Sequence, residues 1–600
     1  MMTDFFSSLR GLTLAALSIV ALGDARIQAQ ELDRVMPEPT PKLVEPFGQE
    51  ADFEDWEAFR TRMIGATEGE KVLVPELKQI IFLEDSDQVD TVELPEDRHS
   101  NLAELPGLNS EGLQSLVDIF VGLPVSKESL ERLRVSLRLV LAEEGKPFSL
   151  VFTPPQDITN GVVQFVIRES TVGQVSIENR EFFSERSYLG RLGLSPGEGL
   201  DSGRIRTGLD RINSNPFRTA AFQVEKGAEP ATTDVVLRVR ERRPWRVFAG
   251  YNNSGTQTTT EDRMFAGLTL GNVWGMAHQL TLQATSDFDI EHSKAVSGNY
   301  RMDLPGNHEL FFFGAYSEIK GVPNGGFDQE GTSWQLGFNY TIPLESQGDY
   351  SHRLTLGFDY KSSDNNLELS LPPFIIPISD TLTRIAQVRA EYRGALKDDW
   401  GDTRFGLGIT YSPGGLGSKN DDDAFEASRF QADSEYAYLS LDGSRTIELG
   451  MLAEALAGWT WQLRSSLQLS NRNLLSSEQY AGGGFGSVRG YEQGEVVGDN
   501  AFFISQEWQL PVIPTQVSLP GYKETGLLRP FVFQDYARTW NTDKLPDEEA
   551  FNLHSYGVGL RYQVARNLTL DLAHGWQLRD SGSSNTGDNY RTNVSLRLAY

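Results

Sequence analysis

Between Gly482 and Tyr491 the chain reads Gly-Gly-Gly-Phe-Gly-Ser-Val-Arg-Gly-Tyr, one guanidinium and one phenol set among glycines. Gly494-Glu495 and Gly498-Asp499-Asn500 follow. Glycine permits tight backbone reversals, so Arg489 and Tyr491 can be presented at the tip of a folded-back loop. The chemistry on offer is ionic anchoring. A guanidinium taken into a dry, narrow space needs a carboxylate, ideally one that accepts two hydrogen bonds. Asp535, in Phe533-Gln534-Asp535-Tyr536-Ala537, lies two strands further on and can serve. Spacing alone leaves a second reading open, a mobile glycine-rich surface loop.

Little else offers reaction chemistry. The chain has no cysteine and seven scattered histidines, so thiol catalysis, disulfides and zinc-ligand spacings are ruled out. No Gly-x-Ser-x-Gly elbow and no Gly-x-x-x-x-Gly-Lys-Ser/Thr loop occurs. The run Asp421-Asp422-Asp423 reads as a solvated charge cluster rather than a calcium site. No catalytic residue, metal or cofactor is expected, and the protein is not read as an enzyme. A net charge of −29 argues against nucleic acid as a partner.

The elements that must position Arg489 are strands. Tyr556, Val558, Leu560 and Tyr562 alternate with Ser555, Gly557, Gly559 and Arg561. The same period appears in Trp334, Leu336, Phe338, Tyr340 and Ile342, and in Leu354, Leu356, Phe358 and Tyr360. It recurs at Tyr590, Val594, Leu596, Leu598 and Tyr600. Strands apolar on one face and small or polar on the other predict a transmembrane β-barrel, lipid outside and water inside. A mean hydropathy of −0.35 does not oppose this, because barrel strands are only half apolar. About sixteen antiparallel strands are counted from 243 to 600. Connections alternate between long (319–331, 362–382, 413–432, 471–498) and tiny, such as Pro305-Gly306-Asn307. Long loops belong outside and short turns inside, which makes 471–498 the sixth surface loop and leaves both barrel ends in the periplasm. The turn at 511–528 is too long for this rule; either a strand is missed there or the turn is elaborated.

Upstream of the barrel, residues 1–29 read as an export signal, with Arg10 before an apolar run from Leu12 to Leu22 and cleavage placed at Ala29–Gln30. Residues 30–76 are an acidic, proline-bearing linker. Within it Phe53, Trp56, Phe59 and Met63 form an amphipathic helical stripe that must dock on something to persist. Residues 77–170 and 171–242 each follow the order strand, helix, helix, strand, strand, which predicts a tandem of small α/β modules.

Val488-Arg489-Gly490-Tyr491, with its Gly-Glu and Gly-Asp-Asn followers, resembles the sixth-loop motif of two-partner secretion transporters, the ShlB/FhaC/HecB (TpsB) family. These are outer-membrane pores related to BamA-type assembly factors. Pro155-Gln156-Asp157-Ile158 is similar to the end of the family's first POTRA module. Thr233-Asp234-Val235 and Arg243-Pro244-Trp245 are similar to its junction with the barrel. The resemblance spans about 75 to 600. It implies that Arg489 enters the pore and contacts the aspartate of a lumen-facing Phe-x-Asp-x-Gly motif. Phe533 and Asp535 match that motif, while Ala537 stands in place of its glycine. Leu598 and Tyr600 match the terminal assembly signal, with tyrosine where phenylalanine is commoner. By position the stripe at 53–63 resembles the helix that plugs the pore in some relatives; docking on the modules is the other reading.

The expected function is therefore an outer-membrane pore. It would recognise an unfolded exoprotein, an adhesin- or haemolysin-like passenger, through its periplasmic modules and pass it to the surface without ATP. Outer-membrane lipids and, during biogenesis, the barrel assembly machinery are the other expected partners. The alternative is a factor that assembles or inserts other barrels.

Overall fold

The structure is a computed structural model. It describes residues 71–600 apart from 93, 96, 106–107, 109, 145, 230–231, 258, 322–326, 345–348, 372–373, 520–521, 546–547 and 582–588. The expected export signal, nearly all of the linker, and Phe53, Trp56, Phe59 and Met63 lie outside the described residues. Compact units divide between Arg243 and Pro244.

In the first unit along the sequence, two three-stranded sheets repeat one plan. Gln79–Leu83 pairs parallel with Val162–Arg168, which pairs antiparallel with Leu150–Phe152 on its other side. Thr171–Glu178 pairs parallel with Thr232–Glu241, flanked by antiparallel Arg218–Lys226. A parallel pair demands a crossover, and two helices supply it each time: Glu111–Phe120 with Lys127–Glu143, and Glu185–Leu192 with Ser202–Asn213. Capping fixes where they start. Ser110 Oγ accepts from the Leu113 N–H (3.1 Å) and Asp201 Oδ1 from Arg204 N–H (2.7 Å), while Ser126 and Ser129 bond reciprocally. Gln79–Leu83 is buried along its whole length because its two faces serve different cores. Ile80 and Phe82 join the helices, whereas Ile81 and Leu83 pack with Val166. In the second module Glu241 accepts from the backbone N–H groups of Glu181, Phe182 and Phe183, and from the Tyr188 hydroxyl (2.6 Å). Burial and that bond push the Tyr188 hydroxyl above its ordinary pKa.

From Trp245 onward the strands close a 16-stranded antiparallel barrel. Its burial is inverted relative to a water-soluble protein. Along Gly401–Pro413 the exposed residues include Phe405, Leu407, Ile409 and Tyr411, while Gly406, Gly408, Thr410 and Ser412 are buried. Elsewhere Val296, Leu336, Leu356 and Val558 face outward, and Gln283, Asn299, Asp359 and Glu507 face inward. Apolar side chains outside and polar ones inside suit hydrocarbon around a filled lumen. Among the described residues no helix is long and apolar enough to cross a membrane.

Near the short turns, His278 Nδ1 meets the Tyr300 hydroxyl (2.6 Å), His352 Nδ1 that of Tyr392 (2.8 Å), and His308 pairs likewise with Tyr340. Amphipathic rings at one level mark a membrane interface. The ring closes where Ser595↔Asn252 through Ala599↔Phe248 pair. Tyr600 exchanges two backbone bonds with Val247 (2.9 and 3.1 Å).

One expectation needs correction, and one open alternative is decided. The long surface loop placed at 362–382 is instead a continuation of its flanking strands, Tyr350–Leu371 and Phe374–Asp398, paired out to Leu371↔Phe374. Polar residues Ser362 to Asn366 end the apolar alternation, but a backbone ladder needs no apolar face and runs on. The 471–498 loop survives, and of the two alternatives for 511–528 the missed strand is the one the structure holds. Ile513–Leu519 continues Asn500–Gln509 as one stave against Tyr522–Trp540. Register shifts by one residue between Gln509↔Phe531 and Ile513↔Leu528, a bulge beside Pro511.

Candidate functional site

The site is built on an aromatic floor. Phe531 and Phe533 point into the lumen from Tyr522–Trp540, opposite Gly559 and Gly557 of Phe551–Val564. A β-carbon at either glycine would stand 2.0–2.3 Å from a ring carbon, so the rings lie over a strand that only glycine leaves bare. Asp535, the next inward residue, rises beside them.

The sixth surface loop folds down onto this floor. Tyr480–Gly482 pairs with Val496–Gly498 as a short stem, and the intervening tip carries the arginine. Arg489 stacks on Phe533 with its guanidinium carbon 3.6 Å from the ring centroid. Its Nε and Nη2 donate to Asp535 at 2.7 and 2.8 Å, and its backbone N–H adds a third bond at 3.1 Å. The arginine side chain is 3% exposed and the aspartate 0%. This is the bidentate geometry that makes an arginine–carboxylate pair directional.

A second carboxylate, which the sequence reading missed, completes the group. Glu507 accepts from Arg489 Nη1 (2.9 Å) and from both terminal nitrogens of Arg561, the second at 3.1 Å. Ser505 Oγ donates to Asp535 (2.7 Å). Arg489, Asp535 and Glu507 are thus buried together, and the half-exposed Arg561 brings the second positive charge that balances the two carboxylates, the condition under which buried charge is tolerated.

The motif neighbours of Arg489 hold the tip from other sides. Val488 and Tyr491 are fully buried with Val496, Phe503, Leu553 and Ala537. Ala537 is itself buried there, so alanine in place of the family's glycine does not bar close approach. The Tyr491 hydroxyl lies against the carbonyls of His554 (2.9 Å) and Arg579 and accepts from the His554 N–H (3.1 Å). Gly490 has φ +97° and its carbonyl accepts from Gln577 Nε2 (2.8 Å). Its backbone touches Gly575 of strand Leu568–Gln577, where a β-carbon would stand 2.7 Å from the Gly490 nitrogen. We expect Gly575→Val to unseat the tip while the barrel still assembles. Overpacking of about 1–3 kcal/mol corresponds to a shift of roughly five- to 150-fold in tip occupancy, read as increased ion conductance in planar bilayers.

The remaining sequence candidates fall elsewhere. Leu598 and Tyr600 lie on the closing strand, exposed on its outer side. Asp421 caps the helix Asp422–Ser428, and Asp422 accepts from Ser434 (2.7 Å). Among the described residues no group of three or more His, Asp or Glu side chains is placed to hold a metal.

The chain was compared with known proteins. The family model for haemolysin secretion/activation protein ShlB/FhaC/HecB matches residues 231–562, more than half of the chain. The heme/hemopexin transporter protein HuxB of Haemophilus influenzae (strain 86-028NP) is 21% identical over 484 residues, 77% of this chain and 80% of the relative. The outer membrane transporter CdiB of Dickeya dadantii (strain 3937) is 25% identical over 414 residues, 62% of this chain and 65% of that relative. Among solved structures, CdiB from Escherichia coli superposes with a TM-score of 0.72 at 15% identity, covering 96% of this chain and 98% of its own. CdiB from Acinetobacter baumannii gives 0.65 at 16% identity, covering 97% and 99%. The chain belongs to the ShlB/FhaC/HecB family of haemolysin secretion/activation proteins, outer-membrane transporters with a β-barrel and an N-terminal periplasmic domain.

Proposed function

We propose that this protein exports an unfolded exoprotein across the outer membrane, taking it up through the POTRA-like modules and passing it through the barrel without ATP. The observation that carries the reading is the tip of the sixth loop, clamped inside the lumen by Arg489, Asp535 and Glu507. A passive porin has no need of a latched internal loop or of two periplasmic modules. The relatives bear transporter names, HuxB a heme/hemopexin transporter and CdiB an outer membrane transporter. Barrel assembly, the alternative, has less support from them.

The modules offer a means of capture. The Gln79–Leu83 edge is covered, since Ile80 N–H donates to His99 O (2.9 Å) and Asn101 bridges Phe82 through both its backbone groups. Leu150–Phe152, Thr171–Glu178 and the longer Arg218–Lys226 are the other sheet edges. An extended passenger segment can add to such an edge as a further strand. An adhesin- or haemolysin-like chain, arriving unfolded and folding outside, would supply its own directionality. In this reading Arg489 and Asp535 form the latch, Val488, Gly490 and Tyr491 seat it, Phe533 is its floor, and Leu598 and Tyr600 serve barrel assembly.

Reconstitution tests the reading. Full-length protein in proteoliposomes, given urea-unfolded passenger and no nucleotide, should render the passenger resistant to added protease. Vesicles that leave it fully digestible, yet promote insertion of an unrelated unfolded barrel protein, would favour the assembly reading.

A further inference from the structure

The sixth loop is held a second time, at its foot. Glu478, just before the stem, has a side chain that is 0% exposed. Lys361 Nζ donates to its Oε1 at 2.7 Å, and Gln387 Nε2 and the Tyr438 hydroxyl donate to its Oε2 at 3.0 and 3.2 Å. Its carbonyl accepts from Gln468 Nε2 (3.0 Å). Gln387 is fixed in turn by the Tyr436 hydroxyl (2.7 Å). The side-chain partners of Glu478 come from strands Tyr350–Leu371, Phe374–Asp398 and Glu435–Glu448, and the partner of its carbonyl from Thr460–Ser470, whereas Arg489 bonds the strands Asn500–Gln509 and Tyr522–Trp540. The two holds thus engage different parts of the barrel wall.

The foot is also packed. Phe425, on the short helix of the fifth surface loop, is fully buried with Leu474, Leu475, Ala432 and Ile385. On the second strand of the stem, at the same end, Asp499 accepts from Arg429 (2.6 Å), the Leu474 N–H (2.9 Å) and the Thr542 N–H (3.1 Å). A buried carboxylate therefore stands at each foot of the stem. Between foot and tip lie Gly483 (φ +106°) and Gly484 (φ +89°), backbone conformations that side chains resist.

We propose that Glu478 and Lys361 form a second, independent anchor that keeps the foot of the loop on the wall while the tip moves about Gly483-Gly484. They are positioning residues: they hold the foot of the loop, while the tip is held separately by Asp535 and Glu507. The inference deepens the export reading, since it says which part of the loop must leave the lumen. Removing one partner of a buried ion pair strands the other, so loss of either should loosen the foot without freeing the tip from Asp535.

The absence of cysteine lets one introduced thiol report alone. Ala432→Cys places it in the foot cluster, where Ala432 is 1% exposed. Modification by a membrane-impermeant maleimide on whole cells then reads release of the foot, with heat-modifiable migration as the control for assembly. Adding Lys361→Met or Glu478→Gln should raise the labelling rate on the order of tenfold. Lys361→Arg, which keeps the charge, should restore protection. Adding Arg489→Ala should leave labelling slow while raising bilayer conductance. Leu474→Cys serves as reporter if Ala432→Cys does not assemble. Background labelling in Glu478→Gln would overturn the anchor, and fast labelling in Arg489→Ala would show the loop leaving as one body. None of these readouts uses a passenger, so failure of the anchor is distinguishable from failure of the export reading.

Discussion

Arg489→Ala is expected to abolish export of the passenger while the barrel still reaches the membrane. The truncation leaves Asp535 fully buried without its cation, and breaking such a pair costs about 3–5 kcal/mol where burial is complete. Asp535→Ala should be milder, because Arg489 keeps Glu507 at 2.9 Å and its stack on Phe533. The double variant should be no worse than the sum of the two, since both changes remove one interaction. Secretion assays on the three variants, with heat-modifiability as the assembly control, settle the matter. Export at the normal rate by Arg489→Ala would reduce the loop to an ordinary glycine-rich surface segment.

A second large effect is expected from removing the first module, residues 77–170. Its core draws on no residue downstream: Ile80, Phe82, Leu113, Val117, Leu137 and Phe165 belong to one cluster whose buried members all lie between Val74 and Ile167. Excision should therefore leave the barrel intact and heat-modifiable but halt export, with passenger accumulating in or degraded from the periplasm. Export at near wild-type levels would refute recognition by that module.

Much of the fold was legible because two simple periods carry it. Alternation in Tyr556 to Tyr562 marked a barrel strand, and the repeated order strand, helix, helix, strand, strand marked two modules, whose helices are capped by Ser110, Ser126 and Asp201. The strand Ile513–Leu519 was legible only as one of two alternatives, since Pro511 and Pro514 interrupt the segment while a bulge lets the ladder continue past them. The strand extensions at 362–382 failed for the converse reason, polar side chains on a fully paired backbone.

At the site, Arg489 and Asp535 stood out by type and order. Glu507 did not, because a glutamate between Gln506 and Trp508 on an alternating strand looks like any lumen residue facing water. Closure of the barrel brings Arg561 and Arg489 against it. Gly557 and Gly559 were visible as a small face, but only the register opposite Phe533 and Phe531 turns them into the bed of a cation-bearing floor. Glu478 gave no signal, since its partner Lys361 lies 117 residues away in sequence.

Site-specific photo-crosslinking to a stalled passenger tests the central claim most directly. A passenger carrying a stable, tightly folded domain is arrested in transit, with a photoreactive residue placed at inward-facing Gln283, outward-facing Leu407 or the closing-strand residue Leu598. A pore that carries its substrate through the lumen predicts adducts from Gln283 and none from Leu407. Adducts confined to Leu598, with Gln283 silent, would contradict export through the barrel and point to lateral handling of other barrel strands.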